Sequence, residues 1–259
     1  VELTDGAVVR VETAGPTHGG DDDIEGNAGQ DIVLGGTGSD TVTGDAGRDV
    51  ILGDNGLVTL ENRTTWIGAG LPGLVDRVDY VATTQPSLGG DDDISGGSDV
   101  DLILGGFGGD TMHAGAGDDV VVGDNGRLDY RLAGDTVEGR PDVPSVVLDS
   151  SPITLDRIMT SDPTLGGDDT IYGDAGNDVV LGGAGGDTIY GDTSDVPDAG
   201  DGSDILLGDF GKVYPGLLWS QNYFAIDTGD AAGAGDDTIY GNGGDDFLMG
   251  QQGGDSLYG

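Results

Sequence analysis

GNAGQDIVL (26–34), GGTGSDTVT (35–43) and GDAGRDVIL (44–52) are three consecutive copies of one nine-residue pattern. Each gives four residues to a turn, points one carboxylate into it (Asp31, Asp40, Asp49) and extends for three residues with the middle one apolar. The same phase returns at 96–122, 173–190 and 241–258. A fixed short period over this much chain predicts a stacked solenoid in which each turn repeats its neighbour's chemistry. An aspartate at one place in every turn then makes a row of carboxylates at strand spacing. Such a row is repulsive unless cations sit between its members.

Composition points the same way. The chain has 259 residues, 49 acidic against 9 basic, and a formal net charge of -40. Nucleic acid is excluded as a partner, because phosphate binding needs the opposite sign. An anionic membrane surface is disfavoured likewise, and no run approaches the ~20 apolar residues of a membrane span. The 54 glycines far exceed average usage. Low hydrophobicity with high charge ordinarily means disorder. The strict phase of the apolar positions argues instead for order that depends on neutralising the carboxylates. With no cysteine, disulfides, thiolate metal sites and a cysteine nucleophile are absent. Val1 opens a strand-like stretch with no basic-then-apolar leader, so the segment reads as a piece of something longer.

The repeats come in blocks. Residues 1–18 resemble the returning strand of a preceding spacer. Block 1 spans 19–56 with turn aspartates Asp22, Asp31, Asp40 and Asp49, and a spacer hairpin follows at 57–88. Block 2 spans 89–126 with Asp92, Asp101, Asp110 and Asp119, followed by a spacer at 127–165. Block 3 spans 166–211 with Asp169, Asp178, Asp187 and Asp204, the last displaced by an insertion at 193–202. After a spacer at 212–232, an incomplete block 4 spans 233–259 with Asp237, Asp246 and Asp255. Each complete block closes on GDNG or GDFG, and the next aspartate place then holds Val58, Leu128 or Val213. The carboxylate row is therefore expected to break there. Asp54, Asp124 and Asp209 in the closing motifs would cap either the last ion of a block or only a turn. The spacers alternate apolar and polar residues at their ends, as in LVTLE (57–61) and VDYVATT (78–84), which reads as two strands around a loop. The larger unit is roughly 70 residues.

The pattern resembles the calcium-binding nonapeptide GGxGxDxUx of RTX proteins, of which GGTGSDTVT (35–43) and GGAGGDTIY (182–190) are the nearest copies. GGSDVDLIL (96–104) departs from it, with Asp99 in the fourth place. The resemblance implies an all-β fold: calcium-bound parallel β-roll blocks with two nonapeptides per turn, interrupted by β-hairpin excursions. It also implies several calcium ions, on the order of ten, each shared by aspartates 18 residues apart. The implied pairs are Asp22–Asp40, Asp31–Asp49, Asp92–Asp110, Asp101–Asp119, Asp169–Asp187 and Asp237–Asp255, with Asp178–Asp204 across the insertion. Loop carbonyls complete the implied shells: Gly20, Gly29, Gly35, Thr37, Gly44, Ala46, Gly105, Phe107, Ala114, Ala116, Gly167, Gly176, Gly182, Ala184, Gly235, Gly244 and Gly250. An all-oxygen set suits calcium and serves zinc or copper poorly. Ile24, Val33, Val42, Ile51 and Ile171 point inward as one thin aliphatic core.

Two histidines, His18 and His113, and the single lysine, Lys212, leave little equipment for acid–base or nucleophilic chemistry, so no enzyme is expected. The paired carboxylates are periodic, unlike a single glycosidase site. The expected role is structural: a calcium-folded section of a large extracellular or cell-surface, adhesin- or matrix-like protein exported by type I secretion, as the resemblance implies. The competing role is a carrier domain beside a secreted protease, lipase or peroxidase encoded outside this segment. A third is a glycan- or ice-binding module. Glycan contact would use the spacer aromatics Trp66, Trp219, Tyr223 and Phe224, which otherwise pack the hairpins. Ice binding would need the threonines after the turn aspartates, where Asp, Ile, Leu, Val, Phe and Ser also occur and break the row. Self-association and neighbouring repeats are the remaining partner expectations.

Overall fold

The computed structural model describes residues 1–4, 7–60, 78–130, 155, 157–193, 201–215, 224–228 and 233–259. All regular structure among them is strand, in three sheets. An outer sheet of eight parallel strands contains Asp23–Glu25, Thr41–Ala46, Asp93–Ser98, Thr111–Ala116, Thr170–Ala175, Thr188–Asp192, Thr238–Tyr240 and Ser256–Tyr258. A central sheet of seven parallel strands contains Ile32–Leu34, Val50–Leu52, Leu102–Gly106, Val120–Asp124, Val179–Leu181, Ile205–Leu207 and Phe247–Met249. Successive nonapeptides alternate between these two sheets, so two of them make one coil of a parallel β-roll. The coils stack without a break. Thr41 pairs with Asp93 across the first spacer, Thr111 with Thr170 across the second and Thr188 with Thr238 across the third.

The spacer strands form a third, antiparallel sheet: Glu2–Thr4, Ala7–Glu12, Gly56–Leu60, Val78–Thr83, Gly126–Asp129, Arg157–Thr160, Lys212–Pro215 and Phe224–Asp227. Each excursion pairs within itself and with the next: Val58 opposes Val81, and Val81 opposes Leu128. Between one excursion and the next the roll completes two coils, adding two strands to the central sheet. The excursion adds two strands to its own sheet. At ~4.8 Å per strand both sheets lengthen equally, so the hairpin sheet can run alongside the central one over several units.

Three layers need two cores, and the residue pattern divides accordingly. Outer strands read TVT, DIS, TMH and TIY, with only the middle residue turned inward. Central strands read VIL, LIL, VVV, VVL and ILL, uninterrupted apolar runs of the kind expected when both faces of a strand are covered. Val42, Ile94, Met112 and Ile171 of the outer sheet pack against Ile51, Ile103, Val121 and Val180 of the central one. The flanking residues Leu52, Leu104, Val122 and Leu181 face the other way, onto Val58, Val81, Leu128 and Ile158 of the hairpin sheet. The expectation of one thin core is corrected here: the roll supplies one core and the hairpins create a second.

The hairpin sheet also carries most of the basic charge that the structure describes. Arg127 donates to Asp129 at 2.8 Å, Arg157 donates to the same fully buried carboxylate, and Arg127 lies 4.6 Å from the centre of the Tyr80 ring. Arg48 donates to the buried Tyr130 hydroxyl at 3.3 Å, tying roll to hairpin. Trp66, Trp219, Tyr223 and the side chain of Phe224 lie outside the described residues.

The layering makes a prediction. Leu104→Ala removes a fully buried side chain of the central sheet and is expected to destabilise the calcium-loaded protein by roughly 2–5 kcal/mol. Thr111→Ala, on the exposed side of the outer sheet, should stay within about 0.5 kcal/mol. Urea midpoints compare the two, and equal losses would contradict the layer assignment.

Candidate metal centre

Stacking turns the repeated aspartates into two ladders. In the outer ladder the Asp22 N–H donates to Asp40 Oδ1, and the bond repeats from Asp40 to Asp92, Asp110, Asp169, Asp187, Asp237 and Asp255, at 2.8–3.1 Å. In the central ladder it runs from Asp31 to Asp49, Asp101, Asp119, Asp178, Asp204 and Asp246, at 2.7–3.1 Å. All fifteen aspartates singled out from the sequence therefore fall on these two lines. The pairs expected from spacing are neighbours within them. Six further neighbours, such as Asp40–Asp92 and Asp49–Asp101, are joined across a spacer.

Each ladder bond uses one carboxylate oxygen and leaves the other. Oδ2 of Asp31, Asp40, Asp49, Asp92, Asp101, Asp110, Asp119, Asp169, Asp178, Asp187, Asp204 and Asp237 is buried with no hydrogen-bond partner. A buried polar atom without a partner is costly, and a buried carboxylate oxygen more so. Burial, reinforced by neighbouring aspartates, raises Asp119 and Asp204 to about 7, Asp101 and Asp187 to about 8 and Asp178 to about 9, from an ordinary 3.8. Asp110 and Asp169 are raised for the same reason.

Backbone carbonyls meet these oxygens. A Cβ placed on Gly35 would collide with both Asp40 Oδ2 and the Gly53 carbonyl oxygen of the next coil; on Gly105 it would strike Asp110 Oδ2 and the Gly123 carbonyl. The absent side chain at the first place of the repeat thus leaves a small cradle lined by oxygen. Among the described residues no three His, Cys, Asp or Glu side chains gather to hold a metal, so a cation here must draw on carbonyls as well. A hard oxygen donor set of this kind fits calcium. Of the carbonyls named from the resemblance, those of Gly44, Gly105, Ala114 and Gly182 face an orphaned Oδ2, of Asp31, Asp92, Asp101 and Asp169 respectively. The carbonyls of Gly53, Gly96, Gly123, Gly191, Gly208 and Gly241 do so too and were missed. Their signal was the first-place glycine of every repeat. Ala46 instead accepts the Gly29 N–H at 2.8 Å. The carbonyls of Gly20, Gly29, Gly167, Gly176 and Gly235 each face a glycine one coil on.

The expected break at GDNG and GDFG does not occur. A Cβ on Gly53 would meet Asp92 Oδ2, one on Gly123 Asp169 Oδ2 and one on Gly208 Asp237 Oδ2. The closing motif and the first aspartate of the next block are two halves of a single loop, opened to let the hairpin out. The insertion at 193–202 opens its loop likewise, since Gly191 faces Asp204 Oδ2. Asp54, Asp124 and Asp209 hold the opened loops shut. Asp54 accepts from Gly90 N–H at 3.2 Å and Phe107 N–H at 2.5 Å, Asp124 from Gly167 and Ala184, and Asp209 from Gly235 and Gln252. With both oxygens engaged they act as turn clamps. Asp99, the departure from the pattern, has φ 74°, in a left-handed region that aspartate tolerates better than most residues, whereas the fourth-place glycines Gly47 and Gly108 have φ 126° and 135°.

A family model described as the RTX calcium-binding nonapeptide repeat matches the chain in four copies, at residues 17–51, 95–127, 164–195 and 231–257. No curated protein and no solved structure matches it.

A pH dependence follows. Carboxylates raised by burial keep protons in the folded chain that the unfolded chain releases above about pH 4. In chelator, stability should therefore fall as pH rises from about 4 through about 9, the upper part of the range being set by Asp119, Asp101, Asp187 and Asp178. Far-ultraviolet circular dichroism in chelator is expected to show most strand near pH 4–5 and least near pH 9. The opposite slope would contradict the burial of these groups.

Proposed function

Because the chain belongs to the RTX calcium-binding nonapeptide repeat family, we propose that it is a calcium-folded structural section of a larger protein exported by type I secretion and working outside the cell or on its surface. The bound ions supply charge that the ladders lack. The residues that would hold them are the ladder aspartates through Oδ2, with first-place carbonyls such as Gly53 for Asp40 and Gly105 for Asp92. The single observation that carries the reading is the uninterrupted stack of orphaned carboxylate oxygens, continuous through every excursion. Repetition along one axis, with no site differing in kind from its neighbours, supports a load-bearing or spacing role over a catalytic one. In a cytoplasm low in calcium the same carboxylates would keep the chain open and transportable, and outside they would close it.

Calcium titration followed by circular dichroism and by counting bound ions tests this. Strand signal should rise cooperatively with on the order of ten ions bound. Asp101→Asn should lower the stoichiometry by about one and weaken folding, whereas Asp54→Asn, at a clamp, should keep the stoichiometry and lower stability by roughly 1–3 kcal/mol. A strand signal indifferent to chelator at pH 7.5 would sink the proposal.

A further inference from the structure

Two of the three closing motifs carry the same pair of residues, Asn55–Gly56 and Asn125–Gly126. There the asparagine fastens the neck of the hairpin. Its carbonyl accepts the first N–H past the returning strand, from Thr84 to Asn55 and from Ser161 to Asn125, both at 2.7 Å. Its Nδ2 donates to the carbonyl that follows, Leu88 or Leu165, both at 2.9 Å. A second donation runs from Asn55 to Thr37 Oγ1 at 3.0 Å and from Asn125 to the Pro86 carbonyl at 3.1 Å. Both asparagines are buried, at 0% and 1% exposure. The glycine is held as well: Gly56 N–H donates to Thr13 Oγ1 at 3.0 Å, and Gly126 N–H to Thr83 Oγ1 at 3.1 Å.

Asparagine followed by glycine readily loses its side-chain amide, because glycine has no side chain to hinder the approach of its nitrogen. The glycine nitrogen attacks Cγ of the asparagine, and its proton passes through solvent base to Nδ2. The Cγ–Nδ2 bond breaks, ammonia leaves and a cyclic succinimide remains. Water opens the ring at either carbonyl, giving aspartate or isoaspartate. One water is consumed and one ammonia released. The folded neck opposes each step. The attacking nitrogen is engaged by threonine, Nδ2 is held by two acceptors, and burial keeps water and base away. Asn55 Oδ1 is buried with no donor, so charge developing there during attack would go unstabilised. In an open chain none of these restraints applies. The product, moreover, cannot refasten the neck. Aspartate at 55 would place a carboxylate against the Leu88 carbonyl, where the amide donated. Isoaspartate also adds a main-chain carbon between the clamp at Asp54 and the first hairpin strand.

We propose that Asn55 and Asn125 are deamidation sites gated by folding, inert in the closed roll and converting to aspartate and isoaspartate while the chain is open. The calcium dependence of the gate rests on the calcium-driven folding proposed above. Together the two sites limit how long the chain can wait unfolded and still dock its hairpins. The third pair of this kind, Asn242–Gly243, is half-buried at a turn of the roll and fastens no neck.

The whole chain is incubated at mildly alkaline pH in calcium, in chelator, and in calcium with unfolding urea, and circular dichroism establishes which samples are folded. Peptide mass spectrometry then follows conversion at each asparagine. Conversion at Asn55 and Asn125 should run at least about tenfold faster in chelator and in urea than in calcium, because the reaction tracks the open population. If the strand signal survives chelator, the calcium reading fails and the comparison of urea with calcium alone decides the gate. Samples aged in chelator should regain strand signal on return of calcium in inverse proportion to the converted fraction. Asn55→Asp, the direct product, should lower the urea midpoint of the calcium-loaded chain. Asn27→Asp, which adds the same charge at an exposed turn, should leave it unchanged. Equal conversion in folded and unfolded samples overturns the proposal, and so does Asn55→Asp with the midpoint of the wild-type chain.

Discussion

Eleven ladder aspartates, from Asp40 to Asp237 in one ladder and from Asp49 to Asp204 in the other, have one oxygen bound to the backbone of the coil before and the other buried without a hydrogen-bond partner. That pairing of a satisfied and an orphaned oxygen governs the rest of the molecule. The satisfied oxygen aligns each coil on its neighbour, which stacks the coils in register and places the orphaned ladder oxygens on two lines. The orphaned ones make the stack unfavourable at neutral pH, because burial and the neighbouring carboxylates both oppose ionisation. Alignment and repulsion come from the same side chain, so at neutral pH the geometry calls for a positive charge between the carboxylates. The roll core, built from one inward residue per repeat, is narrow. On the proposed reading, cation binding and folding are coupled.

The hairpin sheet eases that dependence. By covering the far side of the central sheet it turns residues such as Leu52, Leu104 and Val122 from surface into core. It can do so only because each excursion supplies two strands for every two coils. A single strand or three would fall out of step with the roll. The clamps at Asp54, Asp124 and Asp209 keep excursion and loop together, since each fastens the returning chain, at Gly90, Gly167 and Gly235, to the loop that it left.

Much of this was legible in the sequence. The nine-residue phase contains the coil, the ladders and the hard-oxygen chemistry, because a strictly local pattern dictates a strictly local structure. What escaped was whatever depends on which of two sheets a repeat joins. TVT at 41–43 and VIL at 50–52 both satisfy an apolar middle residue, but their flanking residues tell one covered face from two. Treating the repeats as one class hid the second core. The closing motifs misled for another reason. GDNG at 53–56 is followed in sequence by Leu57 and Val58, yet in space it is completed by Asp92. No linear register carries that junction. Gly89–Gly90 ahead of Asp91 and Asp92 was its one trace.

The opened loops also separate two kinds of distance. Neighbouring ladder aspartates stand one coil apart in space whether 18, 26, 42, 50, 52 or 59 residues separate them along the chain. An insertion made at that point of the loop is invisible to the stack. The scaffold can thus lengthen, shorten or exchange what it displays on its flank while every coil keeps its pitch, much as a spine tolerates changes in its ribs.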